Sequence, residues 1–231
     1  MFHGVNVVAS TVKGVITDGK NYFSDIQKIN EENSALKQEL NEAKLKIVEM
    51  QKIEVENESL REALKMEEKY NHFSKIYANV VLRDYSNWNE TFVINKGAKD
   101  GVKEKSTVIS ADGLVGYVSK VTRATSEVTT ILDPNTSVSV EISTVNALAL
   151  AKGDFDLKES CKMKLTNLPI TTELSVGEKI YTSGIGTMYE KGLVIGEIAE
   201  VVNSKNNIDR YAVIKPYTDF ESLDFVAVIT E

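Results

Sequence analysis

Residues 26–64 read IQKINEENSALKQELNEAKLKIVEMQKIEVENESLREAL, and the spacing of their apolar side chains decides how the rest of the chain is organised. Ile26, Ile29, Leu36, Leu40, Ala43, Ile47 and Met50 recur at steps of three and four, the seam of a coiled coil once Asn33 is counted as a core slot. Two successive steps of three, Ile47 to Met50 and Met50 to Ile53, precede Asn57, Leu60 and Leu64, which resume the pattern. A repeated short step is a stammer and overwinds the supercoil locally. From Gln27 to Lys69, 19 of 43 residues are charged and none is aromatic, Pro or Gly. One narrow stripe is therefore all that this helix buries, which excludes a core helix surrounded by protein.

At 1.5 Å per residue the seam is about 58 Å long, more than a domain of this size needs to cross itself. The chain holds no second helical pattern of that length, so the expected partner is another copy of the same chain. Asn33 and Asn57 agree with this, because a buried Asn costs stability but favours the register in which it meets its twin. Glu42 with Lys46, Glu49 with Lys52, Glu58 with Arg61 and Glu62 with Lys65 stand at spacings that support a solvated helix. The competing reading is a single helix packed along its own domain.

The chain has 231 residues, 42% of them hydrophobic and 26% charged, with a net charge of −7. That is the balance of a folded protein with room for one or two domains besides the helix, and the negative charge argues against nucleic acid as the main partner. Cys161 is the single cysteine, so no intrachain disulfide forms. No run of 18 or more apolar residues occurs, so no segment reads as a bilayer span. The opening Met1-Phe2-His3-Gly4-Val5 lacks the charged start and apolar core of a signal peptide, and it reads as the cut end of something longer. Residues 1–24 are expected to be a less regular, membrane-proximal helical segment, and 25–73 the coiled-coil dimerisation helix.

From Ile76 the period changes from helical to alternating, and turn signals such as Asp112-Gly113, Asp133-Pro134-Asn135 and Gly153-Asp154 divide the remainder into twelve short strands. Strands this close with no helices between them form antiparallel barrels or sandwiches. The expected fold class is mainly β with a long N-terminal coiled-coil helix and two small six-stranded antiparallel β-barrels. We place the first barrel at 76–126 plus 202–231 and the second, inserted, at 127–201; a sequential split is the alternative.

Catalytic chemistry finds little to use. His3 and His72 are the two histidines and both fall in or beside the helical region, which leaves no imidazole for a nucleophile inside a barrel. One cysteine and two histidines exclude a zinc cluster. Gly184-Ile185-Gly186, with Gly192 and Gly196, lacks the strand-to-helix setting of a phosphate loop. Neither a catalytic residue, a metal ligand nor a cofactor is expected.

Several stretches, taken in order, resemble the MreC family of rod shape-determining proteins: Arg83-Asp84-Tyr85-Ser86-Asn87-Trp88, Ile94-Asn95-Lys96-Gly97 and Asp100-Gly101-Val102, then Gly113-Leu114-Val115-Gly116-Tyr117-Val118, Thr182-Ser183-Gly184-Ile185-Gly186 and Lys191-Gly192-Leu193-Val194-Ile195-Gly196. The resemblance covers about two thirds of the chain in family order. Tyr85 and Glu190 stand where the family often has Pro, and both fall in loops. The resemblance implies a membrane helix ahead of residue 1 and a position at the cell membrane on its extracytoplasmic side. It further implies a homodimer, two barrels with the architecture of trypsin-like proteases but no catalysis, and binding to a class B penicillin-binding transpeptidase, to RodA and MreD, and to the MreB complex inside. Tyr85, Trp88 and Phe92 are the candidate partner contacts, with a plug inside the first barrel as the competing role of Trp88. A periplasmic adaptor of an efflux or secretion system and an active trypsin-like protease are the other function classes. The first normally needs a helical hairpin within one chain, and the second lacks histidines.

Overall fold

The computed structural model describes residues 3–83, 91–144, 147–157, 160–169, 172–186, 188–202 and 210–230, with side chains from residue 32 onward. Helix α1 runs unbroken over His3–Lys69. It closes on the bond from the Tyr70 amide to the Met66 carbonyl, and a turn in which the Phe73 amide bonds the Tyr70 carbonyl leads into the first strand. The chain divides into two compact units, Met1–Glu58 and Ser59–Glu231. The last turns of α1 thus belong to the same unit as the strands.

Twelve strands follow among the described residues: β1 Ser74–Arg83, β2 Thr91–Ile94, β3 Thr107–Ile109, β4 Leu114–Val121, β5 Ser126–Thr130, β6 Ser137–Ile142, β7 Ala147–Gly153, β8 Met163–Thr166, β9 Lys179–Thr182, β10 Val194–Val202, β11 Tyr211–Pro216 and β12 Phe225–Thr230. They form two closed antiparallel barrels in the orders β1-β12-β3-β4-β5-β2 and β10-β11-β8-β7-β6-β9. The alternating sequence produces them directly. In β6, Val138, Val140 and Ile142 are fully buried, while the residues between them point outward, as a period of two requires.

The barrel boundaries differ from those expected from the sequence by one strand at each junction. β5 belongs to the first barrel, where it pairs with both β2 and β4. β11 belongs to the second, between β10 and β8. Only β12 returns, pairing with β1 and β3 to close the first barrel. Hydrogen bonding around a closed ring, not order along the chain, decides membership.

Each barrel bends where a strand is bulged. The β3–β4 register shifts between Gly116 and Leu114, and a Cβ on Gly116 would collide with the backbone of Thr129 and Thr130 on β5. Only a residue without a side chain lets the two strands approach there. β3 is buried on both faces because its outer side lies against the second barrel, where the Thr107 hydroxyl donates to the Met188 carbonyl at 2.9 Å. One contiguous apolar cluster accordingly joins Met66 and Tyr70 of the helix end, Ile94, Leu114 and Val128 of the first barrel, and Ile142, Leu165 and Ile198 of the second.

Candidate interaction surfaces

The helix carries the first candidate surface. Of the twelve seam positions, Asn33, Leu36, Leu40, Ala43, Ile47, Met50, Ile53, Asn57, Leu60 and Leu64 are all exposed, the large ones by between 54% at Leu40 and 69% at Met50. The side chains of Ile26 and Ile29 lie outside the described residues. Apolar side chains in a regular stripe, each more than half exposed, are costly in water, and burying one Leu or Ile recovers about 1.5–3 kcal/mol. The seam stops at Leu64. Two residues on, Met66 is fully buried, so the helix passes there from an open stripe to a face packed on the barrels.

That packed end is held by a polar clasp. Lys69 Nζ donates to the carbonyl oxygens of Ala111 at 3.1 Å and Asp112 at 2.8 Å, both in the β3–β4 turn. Lys75 Nζ pairs with Glu67 Oε2 at 3.1 Å and donates to the carbonyls of Tyr70 and Phe73. The Tyr77 hydroxyl donates to Glu67 Oε2 at 2.9 Å. The hydrogen bond from Lys75, followed by that from Tyr77, holds the Glu67 carboxyl below its ordinary pKa. Burial, helped by the neighbouring carboxylate, pushes the Tyr77 phenol up to about 12. Burial pulls the Lys69 ammonium down, partly opposed by Asp112, and raises the Tyr70 phenol.

The two barrels are locked at the same place. Gly113 lies so close to β10 that a Cβ would meet the Val194 carbonyl oxygen at 2.5 Å. The hydroxyls of Ser110 and Thr218 lie 3.1 Å apart, and Thr218 Oγ1 also donates to the Leu114 carbonyl at 3.2 Å. The Tyr117 and Tyr189 rings meet edge to face at 6.4 Å. No local sequence signal announces these contacts, apart from the Asp112-Gly113 turn.

The second candidate surface is only partly visible. Tyr85 and Trp88 lie outside the described residues. Phe92 is placed, and the expectation that it is an exposed contact is corrected: it is 4% exposed, on β2 opposite Val128 of β5, inside the first barrel. Phe92 shares the inward parity of fully buried Ile94 in the alternating strand. Before the undescribed segment, Val81 and Leu82 of β1 are exposed by 54% and 64%. The same strand ends on Arg83, whose guanidinium donates to the carbonyls of Phe220 and Glu221 and pairs with Asp224 at 3.6 Å, pinning the return to β12.

A cavity of about 220 Å³ opens beside Lys103, Lys105, Thr107, Met188 and Glu190, with charges of both signs. His72 stands outside both barrels in the turn after α1, its ring 4.0 Å from that of Phe73. Among the described residues, no three His, Cys, Asp or Glu side chains cluster as metal ligands, and no helix is long and apolar enough to cross a membrane.

The family model described as the barrel core of the rod shape-determining protein MreC matches residues 80–230, all twelve strands but the first residues of β1. The chain belongs to the MreC family. The cell shape-determining MreC of Listeria monocytogenes is 32% identical over 233 residues, which span 98% of this chain and 77% of that protein. A solved structure of Listeria monocytogenes MreC matches with a TM-score of 0.63 at 30% identity, over 86% of this chain and 95% of the other. MreC in a solved complex of Penicillin-Binding Protein (PBP2) and MreC from Helicobacter pylori shares the fold at a TM-score of 0.52 and 14% identity, over 68% of this chain and all of that one. A third MreC structure, at 23% identity and a TM-score of 0.59 over 68% of this chain and 95% of the other, is described as the major periplasmic domain of a cell shape-determining filament.

Proposed function

We propose that this member of the MreC family is a non-enzymatic, homodimeric scaffold of cell elongation, held on the outer side of the cytoplasmic membrane. Its helix pairs two copies, and its barrels bind peptidoglycan-synthesis enzymes, a class B penicillin-binding transpeptidase first among them. The observation that carries this reading is the open seam: a regular apolar stripe from Leu36 to Leu64, exposed along its length, with Asn33 one step before it and Asn57 within it, is built to meet another helix.

Pairing two heads through one rod raises the effective concentration of whatever each head binds. The solved complex of a penicillin-binding protein with an MreC barrel pair supports the choice of partner. RodA, MreD and the MreB filament enter as members of the same assembly, through family likeness. Tyr85 and Trp88 are proposed as contacts, continuing the exposed Val81 and Leu82 at the end of β1. The position of His72 outside both barrels supports the absence of acid–base catalysis.

Sedimentation velocity of the full chain beside a Leu40→Asp, Ile47→Asp variant tests the pairing. The unchanged chain is expected to sediment as a dimer and the variant as a folded monomer. Capture on the immobilised extracytoplasmic region of the transpeptidase tests the partner, with slower release of the dimer than of the monomer. A parent chain that stays monomeric at high concentration overturns the first half of the proposal, and one that is not captured overturns the second.

A further inference from the structure

The cavity beside Lys103 and Met188 draws its wall from both barrels. Residues 103–106 are the turn before β3, Thr107 opens β3, and Ile229 and Thr230 end β12, all in the first barrel; Met188 and Glu190 come from the loop between β9 and β10 of the second. The 2.9 Å bond from the Thr107 hydroxyl to the Met188 carbonyl ties the two walls together. A cavity framed in this way is formed before anything enters it.

Its turn holds a residue that turn chemistry does not choose. The Ser106 amide donates to the Lys103 carbonyl at 3.3 Å and the Lys105 amide to the Val118 carbonyl at 2.8 Å, with Lys105 in the left-handed region at φ 67°. Gly or Asn takes that conformation at least cost. A lysine there is strained, and strain of this kind gathers at ligand clamps. What lysine adds over either residue is an ammonium beside the cavity.

The charges around the cavity do not cancel. Lys105, Glu104 and Glu190 are exposed, and among the described residues none of their side chains forms a hydrogen bond or an ion pair. Elsewhere on the second barrel opposite charges do pair, Lys164 with Asp154 and Lys191 with Glu141, each at 3.8 Å. Tyr189, between the two lining residues of the second barrel, sets its ring edge to face on Tyr117. Its buried hydroxyl also has no partner among the described residues.

We infer that this cavity binds a small zwitterion, an amino acid or a dipeptide, whose carboxylate meets Lys105 and whose ammonium meets Glu190. The volume of about 220 Å³ is about seven times the share of one water molecule in the liquid, which suits a molecule of that size and excludes a longer peptide lying wholly inside. Charge-assisted hydrogen bonds at both ends are the strong kind and select for the spacing of the two groups. Lys105 belongs to the first barrel and Glu190 to the second, so the ligand bridges the barrels. The site is separate from the helix seam and from the contacts proposed for the transpeptidase.

Saturation-transfer difference NMR of the full chain with alanyl-alanine tests this. Saturable transfer to the dipeptide methyls is expected, with a dissociation constant on the order of a millimolar. N-acetyl-alanyl-alanine lacks the ammonium and alanyl-alanine amide lacks the carboxylate, and each is expected to bind about tenfold more weakly. Lys105→Asn and Glu190→Gln should each cost the same factor for alanyl-alanine, while Lys120→Asn, an exposed change on β4 away from the cavity wall, should cost nothing. Lys105→Asn should also leave the thermal midpoint unchanged or raise it, because Asn tolerates the left-handed backbone; weakened binding in a chain at least as stable separates a lost contact from a lost fold. Absence of saturable transfer overturns the inference. So does binding that survives both Lys105→Asn and Glu190→Gln, which puts the dipeptide elsewhere, and so does undiminished binding of either blocked dipeptide, which shows that no zwitterion is recognised.

Discussion

The ammonium of Lys69, on the last residue of the helix, donates to the carbonyl oxygen of Asp112 at 2.8 Å, across 43 positions of sequence. That bond and its companion to Ala111 tie the end of the rod to the turn that also touches the second barrel. Lys69→Met keeps the aliphatic stem and removes both bonds. A loss of about 1 kcal/mol is expected, at the low end because the side chain is largely solvated. Urea unfolding of Lys69→Met against Lys65→Met, a change on the exposed face, measures it.

The Glu67, Lys75 and Tyr77 cluster gives the head a pH dependence at both extremes. The folded pKa of Glu67 lies below its ordinary value, so its contribution is fully present above about pH 4.3 and is lost as the pH falls through the lower folded value. Tyr77 is pushed up to about 12, so its contribution is present below about pH 10 and is lost as the pH rises through about 12. Glu67→Gln should reduce the acid limb of a stability profile and, by removing the carboxylate beside the phenol, part of the alkaline limb; Tyr77→Phe should reduce the alkaline limb and only part of the acid limb, because Lys75 still holds Glu67. Thermal unfolding across pH reads both.

Gly113→Ala is expected to loosen the barrel junction. The added Cβ meets the Val194 carbonyl oxygen at 2.5 Å, and neither atom belongs to a flexible side chain, so backbone must move. Overpacking of this kind costs about 1–3 kcal/mol. Chemical denaturation should report that loss, and amide exchange should rise in the β3–β4 turn and at the start of β10 but not in β6–β7.

Phe92→Ala distinguishes a core residue from a contact residue. Buried in the first barrel, its truncation should cost about 3–5 kcal/mol. A surface aromatic would lose far less, so an unchanged midpoint in urea would contradict the core placement.

The alternation from Ile76 onward made the strands readable, because which face a side chain takes is local geometry. The same signal held no information about ring membership. Ser126–Thr130 and Tyr211–Pro216 alternate like their neighbours, and only their hydrogen-bonded partners assign them to the first and second barrels. Phe92 follows the same rule: it stands near Tyr85 and Trp88 in sequence, but parity within β2 turns it inward, and proximity along a strand does not make a shared surface.

The sequence by itself determined a charged helix with one apolar stripe and a histidine-free β region of twelve short strands, since each follows from periodicity or composition, which are properties of neighbouring residues. Tertiary structure alone decided which strands close which barrel and how Lys69, Asp112, Gly113 and Val194 fasten helix and barrels into one unit. These contacts join residues far apart along the chain, and their energy exists only after the chain has closed on itself.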